Sequence, residues 1–311
     1  MEVINSLEVQ EQKNLRRKKN ASITESVHGH CAHVGQISKG CVSCFFPTIA
    51  MGADIGKECQ CSCPMCFYPH KQTDDLSDLN VFIQRTSELH AAIYKPELAP
   101  DTFCFRSAGE PLLYMDEIKE FIDIFDKIKV KHGHHVYKHL YTNGILATKK
   151  VLTTLKDWGI DELRFHVTAS LYSPHNQKNV FDNLELASKM GFITTVEEPS
   201  WPGHADLLKS YLPIFNDLGL VHLNLTEVRV TPWNKERIIA SSTKVPARIY
   251  KDGVWFLYDN GLVYDIMDQV ADNGFCFSVL DCNSSVEKYR FFRNIDCNYD
   301  LSMITPDVFR L

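Results

Sequence analysis

Along the middle of this chain the apolar residues switch repeatedly between a period of about two and a period of about 3.6, and that alternation leaves few folds open. Helix-like stretches at residues 79–93, 115–131, 149–158, 179–190 and 205–218 are separated by strand-like stretches at 49–55, 102–106, 136–141, 162–168, 193–197 and 222–227. Strand and helix taken in turn make βαβ units, and such units require a parallel sheet with helices packed on it. About six units can be counted, so the fold class predicted is α/β, a partial (β/α)6 relative of the eight-unit TIM barrel. In sheets of this kind chemistry gathers where the strands end, so the residues just after each strand are the first candidates for function.

The rest of the chain divides around that region: a prelude at residues 1–45, the barrel at 46–231 and a C-terminal extension at 232–311. The extension reads as strand-like hairpins at 248–257 and 261–266, with turns at Lys251-Asp252-Gly253 and Asp259-Asn260-Gly261. No apolar run approaches a membrane span and the first twenty residues are polar, which predicts a cytoplasmic chain without a membrane partner. A net charge of −6 counts against a nucleic-acid partner, and the basic run Arg16, Arg17, Lys18, Lys19 reads as a solvated tail. The eleven cysteines are odd in number, which favours reduced thiols kept for metal or redox work.

Cys59, Cys63 and Cys66 stand in the spacing C-x-x-x-C-x-x-C, followed at once by Phe67 and Tyr68. Three thiolates on one short loop can hold three irons of a [4Fe–4S] cube and leave the fourth without a protein ligand. The competing reading is zinc, for which Cys59, Cys61, Cys63 and Cys66 offer four sulfurs, although structural zinc usually draws on two separated knuckles. The spacing resembles the signature of the radical S-adenosylmethionine (SAM) superfamily, whose described fold is the same partial barrel. The resemblance implies a [4Fe–4S] cluster on Cys59, Cys63 and Cys66 with SAM chelated on the open iron. Reduction by an electron donor such as flavodoxin or ferredoxin then splits the sulfonium and gives a 5′-deoxyadenosyl radical.

Other turns extend the resemblance. Ser107-Ala108-Gly109-Glu110-Pro111, directly after the second strand, is similar to the family's G-G-E-P element with Ala108 in the first glycine position. It implies that Gly109 lets backbone approach the ligand and that Glu110 accepts a hydrogen bond from the SAM ammonium. Thr142-Asn143-Gly144 ends the third strand as a T-N-G turn, placing Asn143 near the cofactor. Ser170, Glu197 and Glu198 are candidates for the ribose hydroxyls, and Phe67 for contact with the adenine. Each also has a plain structural reading, as a turn, a solvated strand end or core packing.

Of the remaining cysteines, Cys276, Cys282 and Cys297, completed by Cys41 or Cys44, are candidates for an auxiliary iron–sulfur cluster, although 248–264 lacks the cysteines such extensions usually carry. Cys104 reads as a small buried residue and Cys61 as a spare thiol. His28, His30 and His33 surround Cys31, and His132, His134 and His135 read as solvated loop histidines. The substrate expected is a ribosomally made peptide, modified by epimerisation, crosslinking or residue excision, because peptide maturases resemble this layout, some with a separate peptide-recognition protein. A dehydrogenase or epimerase of a sugar or other small molecule is the alternative enzyme, and a zinc-stabilised binding protein the alternative of another class.

Overall fold

The computed structural model describes residues 22–26, 31–42, 50–67, 77–173, 177–241, 247–249, 255–257 and 260–282. Its elements in chain order are β1 (Thr24–Ser26), β2 (Cys31–Val34), α1 (Lys39–Val42), β3 (Ala50–Asp54), α2 (Ser77–Ala92), β4 (Thr102–Arg106), α3 (Met115–His132), β5 (Tyr137–Thr142), α4 (Lys149–Asp157), β6 (Glu162–Phe165), α5 (Gln177–Lys189), β7 (Ile193–Pro199), α6 (Ala205–Asp217), β8 (His222–Thr226), β9 (Val228–Val230), α7 (Lys235–Ser241), β10 (Ala247–Ile249), β11 (Trp255–Leu257), α8 (Asn260–Asp272) and β12 (Ser278–Cys282). The chain forms two compact units, one from Lys39–Cys63 and Tyr68–Val196, the other from Met1–Ser38, Pro64–Phe67 and Glu197–Leu311.

In the first unit β3, β4, β5, β6 and the first part of β7 pair in that order, all parallel, and a helix follows each of the first four strands. This is the α/β class that the periodicity predicts. Phe105, Leu140 and Leu163 are register partners across the sheet, as are Cys104, His139 and Glu162, so one face is apolar and the other polar. The apolar face takes the helices. Phe103 and Phe105 meet Phe121 and Phe125 of α3 at ring separations of 4.9–6.4 Å, within the range where edge and tilted aromatic pairs attract. The same helix buries Ile118, Ile122 and Ile128, the spacing of a single helical stripe. Asp116 and Glu117 in its first turn, and Lys129, Lys131 and His132 in its last, complement the helix dipole. Gly133 ends it at φ +68°, a left-handed cap that suits glycine.

The polar face carries a buried network. Arg164 donates to Glu162 at 2.8 Å, to the Tyr141 hydroxyl at 2.9 Å and to the Cys41 sulfur at 3.2 Å. Glu162 also accepts from Tyr137 and Thr195, at 2.9 and 2.7 Å. Gly40 of α1 lies so close that an added Cβ would stand 2.6 Å from Arg164 Nη2, so this short helix packs on the network only because position 40 has no side chain.

In the second unit β12 pairs parallel with β8 and antiparallel with β2, which in turn pairs antiparallel with β1. A smaller antiparallel sheet runs β10–β11–β9. The expected hairpin at 248–257 is present as β10 and β11, with its Lys251-Asp252-Gly253 turn outside the described residues. Residues 261–266, expected as strand, lie instead in helix α8. Its buried positions Leu262, Val263, Tyr264, Ile266, Met267 and Val270 recur three and four apart, so the helical period governs and Asn260-Gly261 opens a helix rather than a turn. The strand expected at 162–168 stops at Phe165, and residues 167–172 form a 3-10 helix. Of the trio His132, His134 and His135, expected to be solvated, His135 is exposed as expected, whereas His132 and His134 are half-buried. Each ring nitrogen lies 2.8–3.1 Å from an oxygen, of Ile93, Pro100 and Asp161 respectively, pinning the connection from α3 to β5. No helix among the described residues is long and apolar enough to cross a membrane.

Candidate functional site

The cysteine loop begins where β3 ends, and its first half is fastened to the turns that follow β4, β5 and β6. Gly56 reverses the chain at φ +76°, and an added Cβ would stand 1.9 Å from Tyr114 Cζ, so only glycine lets the tyrosine ring close against it. The Tyr114 hydroxyl accepts from Lys57 N at 3.0 Å and Glu58 N at 2.8 Å. Ser107 donates to Gly56 O at 2.8 Å and accepts from Gly109 N at 2.8 Å. Glu110 N donates to Glu58 O at 2.7 Å. The close approach permitted by Gly109 is to this loop: an added Cβ would stand 2.0 Å from Glu58 O.

Glu110 is 1% exposed, and both of its carboxyl oxygens are engaged by the chain. One accepts from Leu112 N at 3.1 Å and Thr142 Oγ1 at 2.7 Å, the other from Asn143 N at 2.7 Å. It therefore locks the turn after β4 to the turn after β5. Burial pushes its pKa up to about 7, against the pull of the bonds from Asn143, Thr142 and Leu112. Asn143 extends its Nδ2 to Gln60 Oε1 at 3.2 Å and to the Cys59 sulfur at 3.8 Å, while its Oδ1 accepts from Ile145 N. From the turn after β6, Tyr172 O accepts from Ser62 N at 3.0 Å and Ala169 O lies 3.9 Å from the Cys63 sulfur.

Cys61, buried between the two expected ligands, is in hydrogen-bond contact with the sulfurs of both Cys59 and Cys63. The Cys61 contact, followed by burial, raises the Cys59 thiol above its ordinary range. The Cys59 contact lowers that of Cys61, but the Cys63 contact and burial outweigh it and push Cys61 up to about 12. Among the described residues no set of three or more His, Cys, Asp or Glu side chains stands in metal-holding geometry. The donors nevertheless fit an iron–sulfur group in kind: soft sulfurs, closely spaced, on a loop whose backbone is held from three strand ends.

Cys66 and Phe67 belong to the second unit, where both are half-buried. The Arg229 guanidinium stands 5.7 Å from the Phe67 ring centre, a cation–π contact on one face of the ring. Ser170 is buried and its hydroxyl donates to Val167 O at 2.7 Å, within its own 3-10 turn. Glu197 accepts from Asn224 at 3.0 Å, and Glu198 is fully buried. Of the auxiliary candidates, Cys41 is buried beside Arg164, Cys276 is exposed and Cys282 ends β12, while Cys44 and Cys297 lie outside the described residues, as do His28 and His30. Cys104 is half-buried, and His33 is buried with Nδ1 2.7 Å from Gly35 O. Sequence reasoning misses Tyr114, whose partners lie more than fifty residues away, and Arg164, whose local sequence shows only the polar–apolar alternation Glu162-Leu163-Arg164-Phe165.

No protein-family model and no curated protein matches the chain. Among solved structures it resembles Streptococcus suis SuiB bound to its precursor peptide SuiA, with a TM-score of 0.51 at 11% identity over 75% of this chain and 48% of that one. Coproporphyrinogen III oxidase (HemN) from Escherichia coli, a radical SAM enzyme, gives 0.47 at 13% identity over 88% and 62% of the two chains. The enzyme anSMEcpe with bound AdoMet gives 0.46 at 16% identity over 58% and 51%. The chain thus spans about half the length of SuiB and of anSMEcpe. At 11% identity the likeness to SuiB is one of fold.

Proposed function

We propose that this chain is a radical SAM enzyme, with a [4Fe–4S] cluster on Cys59, Cys63 and Cys66 and SAM on the iron that no residue ligates. One observation carries the reading: the turns Ser107–Pro111 and Thr142–Gly144, each directly after a parallel strand, bond to the cysteine loop itself, through Glu110 N on Glu58 O and Asn143 Nδ2 on Gln60. A chance triplet of cysteines has no reason to be gripped by both of these turns. With cluster and SAM bound and an electron supplied by a donor such as flavodoxin or ferredoxin, the chemistry available is reductive cleavage to a 5′-deoxyadenosyl radical that takes hydrogen from a substrate.

The chain's own residues orient and shield that centre. Tyr114, Ser107 and Gly109 set the course of the loop backbone. Glu110 ties the two turns together, so its part in SAM binding is to shape the pocket through Asn143 as well as to offer its remaining acceptor capacity. Phe67, with Arg229 on one face, offers its ring to the adenine. A peptide is the substrate proposed. SuiB, which shares the fold, is known with its precursor peptide, and among the described residues β10 and β9 are the outer strands of the small sheet, the kind of strand to which a peptide can add. A cytoplasmic location agrees with this chemistry, since reduced thiols are needed.

The test is anaerobic reconstitution with iron and sulfide, then incubation with SAM and dithionite. The expected result is a brown protein with about four irons per chain that releases 5′-deoxyadenosine. A colourless protein that binds zinc alone, or a brown one that leaves SAM intact, overturns the proposal.

A further inference from the structure

The segment carrying the third cysteine of the loop is held by a cluster of side-chain donors just beyond β9. Asn234 is fully buried at the start of α7. Its Nδ2 donates to Met65 O at 2.9 Å and to Arg229 O at 2.8 Å, and its Oδ1 accepts from Thr231 N at 2.7 Å. A primary amide has two N–H donors and one oxygen, so all of its hydrogen-bonding groups are used. Thr231 Oγ1 donates to Phe67 O at 3.1 Å. Arg237 brings Nη2 within 3.5 Å of Cys66 O and also donates to Trp233 O at 3.1 Å. Three consecutive carbonyls, those of Met65, Cys66 and Phe67, are therefore each met by a donor from within residues 231–237. All of these residues lie in the second unit, together with Pro64–Phe67.

Fixing the carbonyls of three successive residues fixes the peptide planes between them, and with them the direction in which the Cys66 Cβ leaves the backbone. We infer that Asn234, Thr231 and Arg237 are positioning residues for Cys66, setting its thiolate where a cluster iron can take it; this rests on the reading that Cys66 is a cluster ligand. Residues 231–237 are thus part of what holds the Cys66 segment in place. Cys59 and Cys63 have separate supports in Asn143, Tyr172 and Ala169, so loosening the Asn234 cluster acts on Cys66 and spares the other two.

The test follows alkylation of each cysteine by iodoacetamide in the full-length, iron-free protein, read by mass spectrometry, with Asn234→Asp, Thr231→Val and Thr231→Ser compared to wild type. Asn234→Asp removes both donors at nearly constant shape, Thr231→Val removes one hydroxyl, and Thr231→Ser restores it. The expected result is a rise of roughly fivefold or more in the Cys66 rate for Asn234→Asp, a smaller rise for Thr231→Val and none for Thr231→Ser, with Cys59 and Cys63 within about twofold throughout. Iron bound after reconstitution falls in the same order. Should Asn234→Asp fail to fold, the Thr231 pair decides the matter. Equal acceleration of all three cysteines, or an unchanged Cys66 rate in folded variants, overturns the inference. If wild type takes up no iron while the alkylation pattern holds, the anchoring stands and the reading of Cys66 as a ligand fails.

Discussion

Replacing Glu110 by glutamine should change how stability depends on pH, by an amount that follows from where the carboxyl sits. It is 1% exposed, and burial lifts its pKa from 4.5 to about 7. The folded chain thus binds a proton at Glu110 more tightly than the unfolded chain does. Between about pH 4.5 and pH 7 the native state holds more of that proton, so the free energy of unfolding falls as pH rises through this window and levels off above it. At ~1.4 kcal/mol per pKa unit the fall is roughly 3 kcal/mol. Glutamine cannot titrate there. With its oxygen in the place that accepts from Leu112 N and Thr142 Oγ1, its amide nitrogen faces Asn143 N–H, a fixed cost of about 1–3 kcal/mol at every pH. Urea unfolding of the iron-free protein under reducing conditions, followed by circular dichroism at several pH values, gives the difference between wild type and Glu110→Gln. That difference should shrink, or reverse in favour of glutamine, by roughly 3 kcal/mol on going from acid to neutral pH. A flat difference refutes the buried carboxyl as the source, and a growing one means that its three hydrogen bonds outweigh desolvation.

Further outcomes concern the loop and its anchors. Cys59→Ala, Cys63→Ala and Cys66→Ala should each lose the bulk of the iron taken up by wild type on anaerobic reconstitution, measured by colorimetric iron assay, because each removes a ligand of the proposed cluster. Tyr114→Phe deletes the oxygen that accepts from Lys57 N and Glu58 N and should cost about 1–3 kcal/mol in urea unfolding. Gly109→Ala sets a methyl 2.0 Å from a backbone oxygen of the cysteine loop and should cost about 1–3 kcal/mol through forced separation of the two segments, with iron uptake reduced in parallel.

Much of the first unit is legible in the sequence because its signals are local. The expected strand at 102–106 and helix at 115–131 agree with β4 and α3 to within a residue, since alternation and the i, i+3, i+4 stripe need no distant partner. Helix α8 departs from the expected hairpin because Asp259-Asn260-Gly261 has the residues of a hairpin turn, and only the burial of Leu262, Val263, Ile266 and Met267 on one face decides for a helix. The pairing of β12 with β8 joins residues more than fifty positions apart, and no local pattern encodes it. At the site, the residue types at Glu110 and Asn143 drew attention but not their partners. Glu110 is engaged by donors of its own chain, and Gly109 makes room for Glu58. Asn234 gave no signal, because an asparagine in a Thr-Pro-Trp-Asn turn looks like ordinary turn chemistry until its amide is seen on Met65 O.

The proposed radical SAM chemistry requires an iron that no residue of this chain ligates. Electron paramagnetic resonance of the reconstituted, dithionite-reduced protein, recorded with and without SAM, tests it most directly. It predicts a [4Fe–4S] signal whose g values shift when SAM is added, and which is lost in Cys66→Ala. A signal indifferent to SAM, or a protein with no such signal when fully loaded with iron, would contradict it.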